Sequence, residues 1–125
     1  MDEKYFEIVN ELSDKRIYQI SEVAKILGVE PSNIRYWEGE FSKYLRPARG
    51  KNRNRTFKKK DIMTLRIIQF LLKEKKFTLE GAKKHLKSYG IDEVGRIVEV
   101  VDKLKAIKFE LEDIRNKIDE LKFEE

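Results

Sequence analysis

The chain of 125 residues contains no cysteine. That absence excludes a disulfide framework, a thiolate metal site and a thiol redox sensor, and it fits a reducing compartment. The single histidine, His85, has Gly81, Ala82, Lys84 and Tyr89 on the adjacent turns. With no carboxylate or second imidazole at ligand spacing there, it reads as a surface or half-buried structural residue, and no metal or cofactor is expected. No apolar run approaches the roughly 20 residues a membrane span needs. The charged start Met1-Asp2-Glu3-Lys4 lacks the apolar core of a secretory signal, so a soluble, cytoplasmic protein is expected. Enzymatic chemistry is not supported either. The sequence offers no nucleophile beside a base, no clustered carboxylates in a cleft-forming motif and no phosphate-cradling glycine loop. The length allows one small domain and a long accessory helix, with little left for a separate effector domain.

What the chain does have is positive charge in one place. The net charge is only +5, yet the segment from Lys43 to Lys60 carries nine bases (Lys43, Arg46, Arg49, Lys51, Arg53, Arg55, Lys58, Lys59, Lys60) and no acid. From Arg16 to Lys60 twelve bases face four acids, a balance of +8, whereas from Ile97 to Glu125 six bases face nine acids, a balance of −3. One half of the chain is thus built to meet a polyanion, and duplex DNA is the partner expected.

Three regions are read along the chain: residues 1–15 as an N-terminal extension, 16–90 as a DNA-binding domain, and 91–125 as a dimerisation helix. In the extension, Tyr5, Phe6, Ile8, Val9 and Leu12 recur at helical spacing. Arg16–Ile20 alternates and suits a short strand. Ser21 is read as the N-cap of a helix from Glu22 to Leu27, ended by Gly28 in the left-handed conformation. Pro31 suits the first position of a second helix, on which Ile34 and Trp37 point the same way. Helix, tight turn, helix is the outline of a helix-turn-helix. Gly39 is expected to break the second helix. Tyr44–Arg46 and Arg55–Phe57, flanking Arg49–Asn52, are expected to pair as a β-hairpin wing, with Pro47 confining the first strand to an edge. Asp61 lies in the first turn of a helix whose core face is Ile62, Leu65, Ile68, Gln69 and Leu72. Thr78 caps a further helix with Leu79, Ala82 and Leu86 inward, and Gly90 stops it. The fold class is mainly α: a winged helix-turn-helix with a small hairpin, a second helix pair and a long C-terminal coiled-coil helix.

The C-terminal segment is the most periodic. Ile97, Val100, Leu104, Ile107, Leu111, Ile114, Ile118 and Leu121 alternate steps of three and four, the a/d seam of a coiled coil, with Val101 and Phe109 read as the apolar departures from it. An unpaired stripe about 40 Å long would leave an exposed apolar patch, so a homodimer is expected. In an antiparallel pair Lys103 and Glu110 meet Glu124 and Lys117, while Lys108 and Arg115 repel. A parallel pair sets Lys103 against Lys108 and Lys117 against Lys122, leaving only Glu110 with Arg115. Each such pair is worth about 0.2–1 kcal/mol, and the antiparallel arrangement is preferred.

In a helix-turn-helix the second helix enters the major groove. Here its first turns offer Ser32, Asn33, Arg35 and Tyr36. Arg35 can fork onto a guanine edge or a phosphate, Asn33 can pair with adenine, and Ser32 and Tyr36 can donate to phosphate oxygens. The wing adds Arg49, Lys51, Arg53 and Arg55. Lys58, Lys59 and Lys60 stand at a helix N-terminus, where cations oppose the macrodipole and a bound phosphate would offset the cost.

The ordered set Tyr18-Gln19-Ile20-Ser21-Glu22-Val23-Ala24-Lys25-Ile26-Leu27-Gly28-Val29, then Asn33-Ile34-Arg35-Tyr36-Trp37-Glu38, then Arg55-Thr56-Phe57 and Asp61-Ile62 resembles the DNA-binding domain of MerR-family transcription regulators. The resemblance implies an antiparallel dimerisation helix matching the C-terminal heptads. It also implies binding to pseudo-palindromic promoter DNA, often with bending and untwisting, through Arg35, Tyr36 and Arg55. Glu30 and Lys58 depart from it, each standing where a capping residue is usual. RNA polymerase, or a regulatory protein on the acidic C-terminal helix, are further candidate partners. A second reading gives the same DNA-facing residues to a nucleoid-architectural, chromosome-anchoring or mobile-element accessory protein.

Overall fold

The structure, a computed structural model, describes residues 3–49 and 55–122. It is mainly helical, with a small sheet and one long helix. Helix α1 (Tyr5–Glu11) buries Tyr5 and Val9, one turn apart, against the rest of the chain. Strand β1 is shorter than the expected Arg16–Ile20 and spans Tyr18–Gln19. Helix α2 follows at once, Ile20–Leu27. Ser21 is therefore not its N-cap. That position is held by Gln19, whose backbone N–H donates to the Glu22 carboxylate at 3.3 Å. An acid at the third helical position satisfies the cap amide and moves the start two residues upstream. Gly28 ends α2 at φ 68°, with Val29 N–H donating back to Ala24 O at 3.0 Å.

Helix α3 (Pro31–Glu40) starts at the proline, as its fixed φ favours, but runs through Gly39 instead of breaking there. Gly39 is the penultimate residue of the helix, where the interior penalty for glycine of about 1 kcal/mol is an upper bound. That cost is offset because Trp37 and Phe41, either side of it, are both core side chains, and Phe41 N–H closes the helix on Trp37 O at 2.8 Å. The next residues do not form the expected strand at Tyr44–Arg46. Tyr44 and Leu45 N–H groups both turn back onto Phe41 O, at 2.9 and 3.0 Å, and Leu45 is buried. Pairing begins only after Pro47, which has no N–H to give: β2 is Ala48–Arg49 and β3 is Arg55–Phe57. The sheet is antiparallel in the order β1-β3-β2, with Tyr18 opposite Phe57 and Ala48 opposite Thr56. The first wing strand is an edge, as its proline requires.

Helix α4 (Lys59–Gln69) repeats the capping device of α2: Lys58 N–H donates to Asp61 Oδ2 at 2.9 Å. It continues as a π-helical turn, Phe70–Glu74. Ile62, Leu65 and Ile68 are fully enclosed, and every residue from Thr64 to Leu71 is buried, so α4 is the axis around which the head is packed. Thr78 Oγ1 accepts from Gly81 N–H at 3.0 Å and starts α5 (Leu79–Tyr89), whose Ala82 and Leu86 face the core. His85 is half-buried between Phe77 and Tyr89, its ring centroid 5.1 and 4.6 Å from theirs.

Helix α6 (Ile91–Lys122) begins immediately after Gly90, whose φ is 83°. Its first half packs on α1, α4 and α5. Val94, Val98, Asp102 and Ala106, four residues apart, are the buried positions. Val98 and Ala106 thus join Val101 and Phe109 off the seam. A Cβ at Gly95 would meet Ile67 Cδ1 at 3.1 Å, so glycine there permits the close approach of α6 to α4. The seam faces away: all eight of its residues are 42–66% exposed.

Candidate nucleic-acid interface

Ile34, Trp37 and Phe41 are spaced to lie along one face of α3 and all three are buried. That stripe fixes the roll of the helix. Ser32, Arg35 and Tyr36 consequently stand on the outside, with Asn33 half-buried beside them. Tyr36 is 55% exposed, which rules out a core role, whereas Trp37 is a core aromatic. The helix is amphipathic for two reasons at once: its apolar side anchors it and its polar side is left for a partner.

The wing is tied to this helix by charge. Arg55 on β3 pairs through Nε with Glu38 Oε2 on α3, and both side chains are largely covered. Arg55 is thus a bracket between wing and helix as well as a candidate contact. Arg46 Nε donates to Ser42 O at 2.9 Å, which folds the connecting segment back on itself. Arg49 lies on β2 opposite Arg55, while Lys51 and Arg53 lie outside the described residues. β3 leads directly into α4, so Lys58, Lys59 and Lys60 follow the buried Phe57. Lys58 and Lys60 are exposed and Lys59 is half-buried.

At the far end of α3, Glu40 Oε2 and Lys83 Nζ are 2.9 Å apart, joining α3 to α5. The Glu40 carboxylate holds the Lys83 ammonium above its ordinary pKa. Sequence reasoning missed both bridging acids. The signal was there, since Glu38 and Glu40 are the acids placed just before the acid-free run, where they serve as built-in counterions for bases on neighbouring elements. Among the described residues no cluster of metal-ligating side chains is found, and no helix is long and apolar enough to cross a membrane.

Residues 18–89 match the family described as MerR HTH family regulatory protein. The chain belongs to that family. The matched stretch runs from β1 through α5 and contains every candidate DNA-facing residue. A relative, the regulator protein TubY of Clostridium botulinum C phage, is 38% identical over 91 residues, covering 70% of this chain and 36% of that protein. The chain therefore spans about a third of that relative's length. No solved structure matches. The matched stretch carries the helix-turn-helix by which that family is described. α1 and the whole of α6 lie outside the family match.

Proposed function

We propose that the protein binds double-stranded DNA sequence-specifically as a homodimer and regulates transcription initiation at pseudo-palindromic promoter sites. The observation that carries this reading is the polar face of α3, held at a fixed roll by Ile34 and Trp37 and bracketed to the wing through Glu38 and Arg55. In this reading Arg35 and Asn33 meet base edges, while Ser32 and Tyr36 meet phosphates. Arg49, Lys51 and Arg53 track the backbone or a minor groove, with Arg55 at their base. Lys58, Lys59 and Lys60 position the duplex without choosing its sequence. Residues 16–90 form the reading head and 91–125 the dimerisation helix, paired antiparallel along Ile97, Val100, Leu104, Ile107, Leu111, Ile114, Ile118 and Leu121. The exposure of that seam supports pairing, because a run of apolar side chains this long is not left in water on a monomer. RNA polymerase would be met at the promoter, in the cytoplasm.

In vitro selection of duplexes with the full chain tests the reading directly. The expected product is an inverted repeat whose half-site centres are separated by whole helical turns, bound with an affinity that falls steeply with salt. A selected pool with no enriched motif would sink it.

A further inference from the structure

A hydrogen-bonded relay crosses the interior from the helix-turn-helix to α6. Leu27 ends α2, and its carbonyl oxygen has no helical donor above it; it accepts from Gln69 Nε2 at 2.8 Å. The side-chain Oε1 of Gln69 accepts from Arg66 Nη1 at 3.1 Å. Arg66 then closes on Asp102 of α6 with two bonds, Nε to Oδ2 at 3.0 Å and Nη2 to Oδ1 at 2.7 Å. Arg66 is 1% and Asp102 3% exposed. Glu74 braces the same guanidinium, 2.7 Å from Nη1, and pairs with Lys105 on α6. The rings of Tyr5 and Phe70 lie 5.6 and 5.8 Å from the guanidinium carbon.

The geometry of this relay is directional. Gln69 donates to one partner and accepts from the other, so its amide cannot flip without losing both. The planar guanidinium holds the Asp102 carboxylate in its own plane. Stability alone does not call for ions here, since an apolar pair of similar volume serves as well or better. An apolar contact, however, tolerates sliding and rotation of α6 on α4, and a bidentate pair does not. α6 extends a further 20 residues beyond Asp102 to Lys122, about 30 Å, so a tilt of roughly 10° at Asp102 moves the far end by about 5 Å. One base-pair step is about 3.4 Å.

We propose that Gln69, Arg66 and Asp102 form an angular lock between the reading head and α6, acting as positioning residues that set the separation and phase of the dimer's two recognition helices. The proposal rests on the dimeric DNA-binding reading above. Its test uses the full chain, the double variant R66M/D102L, which keeps the packing and removes the directional bonds, and Q69L, which cuts only the link to Leu27. Binding is measured to synthetic duplexes carrying the selected half-site as an inverted repeat, with the spacer changed one base pair at a time, and to a duplex with a single half-site. The native chain should show one sharp optimum. In R66M/D102L the preference for the optimal spacer over its neighbours should fall about tenfold, with single-half-site affinity unchanged, and Q69L should lie between. A merely structural role would move both affinities together.

Because the chain has no cysteine, spin labels at Ser21→Cys and Asp119→Cys report the head-to-α6 distance by pulsed electron resonance without DNA, in dimers diluted with unlabelled chain. The distribution should be narrow in the native background and broad in R66M/D102L. An equally sharp spacer profile and an unchanged distance distribution in that variant would overturn the lock. If the native chain prefers no spacer, the dimeric reading fails instead, and the label distances still decide the lock.

Discussion

The two faces of α6 answer to different partners. On the inner face Val94, Val98, Asp102 and Ala106 recur every four residues and are buried by the chain's own head, and that face ends at Ala106. On the outer face the seam begins at Ile97 and continues to Leu121, and from Ile107 onward every described residue of the helix is exposed. A single helix thus carries a short stripe with a partner in the structure and a longer stripe without one. Burial on the inner face is a matter of folding. Burial on the outer face, if it occurs, is a matter of association. The comparison also separates the kinds of residue used: the inner face includes a charged side chain with a bidentate partner, and the outer stripe is wholly apolar.

The sharpest way to break that distinction is on the inner face. Asp102→Ala removes the bidentate partner of the buried Arg66 and leaves its charge to Glu74, and should cost about 3 kcal/mol in a denaturant titration, while R66M/D102L should be close to neutral. Equal losses in the two variants would mean that the pair matters for volume and not for charge. On the outer face, Leu111→Ala should leave the head folded by circular dichroism and weaken self-association by about 2 kcal/mol or more per chain, read by sedimentation equilibrium. A loss of head stability without a change in association would reverse the assignment of the two faces. On α3 the effect is smaller and selective: Arg35→Ala should cost about 1–3 kcal/mol on the selected site only, whereas Lys59→Ala should weaken all duplexes alike and reduce the salt slope by about one.

The sequence made the helix-turn-helix legible because its punctuation is strong: Gly28 takes the left-handed conformation and Pro31 opens α3, as their chemistry demands. The heptad seam was legible for the same reason, being a long period with few interruptions. Its regularity also hid the inner face, because Val98 and Ala106 sit between seam positions and are recognisable as core only once α4 lies beside them. Arg66 was not legible at all. Arginine on a helix is usually a surface residue, and its partner Asp102 is 36 positions away. The first wing strand was misplaced, at Tyr44–Arg46 instead of Ala48–Arg49, since two residues carry too little alternation to fix a register, whereas Arg55–Phe57 was placed where it forms. Of the candidate DNA contacts, the α3 set lies on one outer face, but Arg55 is turned toward Glu38, a pairing that local sequence does not announce.

The subtlest expected effect lies where the inner face meets the π-helical turn. Burial works to raise the Glu74 carboxyl, but the Arg66 guanidinium 2.7 Å away and the Lys105 ammonium bonded to it outweigh burial and hold its pKa below the ordinary value of 4.5. A carboxyl depressed by folding contributes stability that is fully present above its unfolded pKa and is lost as pH falls through the folded one. The native chain should therefore lose stability on acidification from about pH 4.5 downward, in part through this group. Glu74→Gln keeps the shape and removes the charge, so it should be less stable than the native chain at neutral pH and fall less steeply in acid. The two stability curves should converge at low pH. Parallel curves throughout would show that Glu74 braces Arg66 by shape alone, and the charge balance of the inner face would then rest on Asp102.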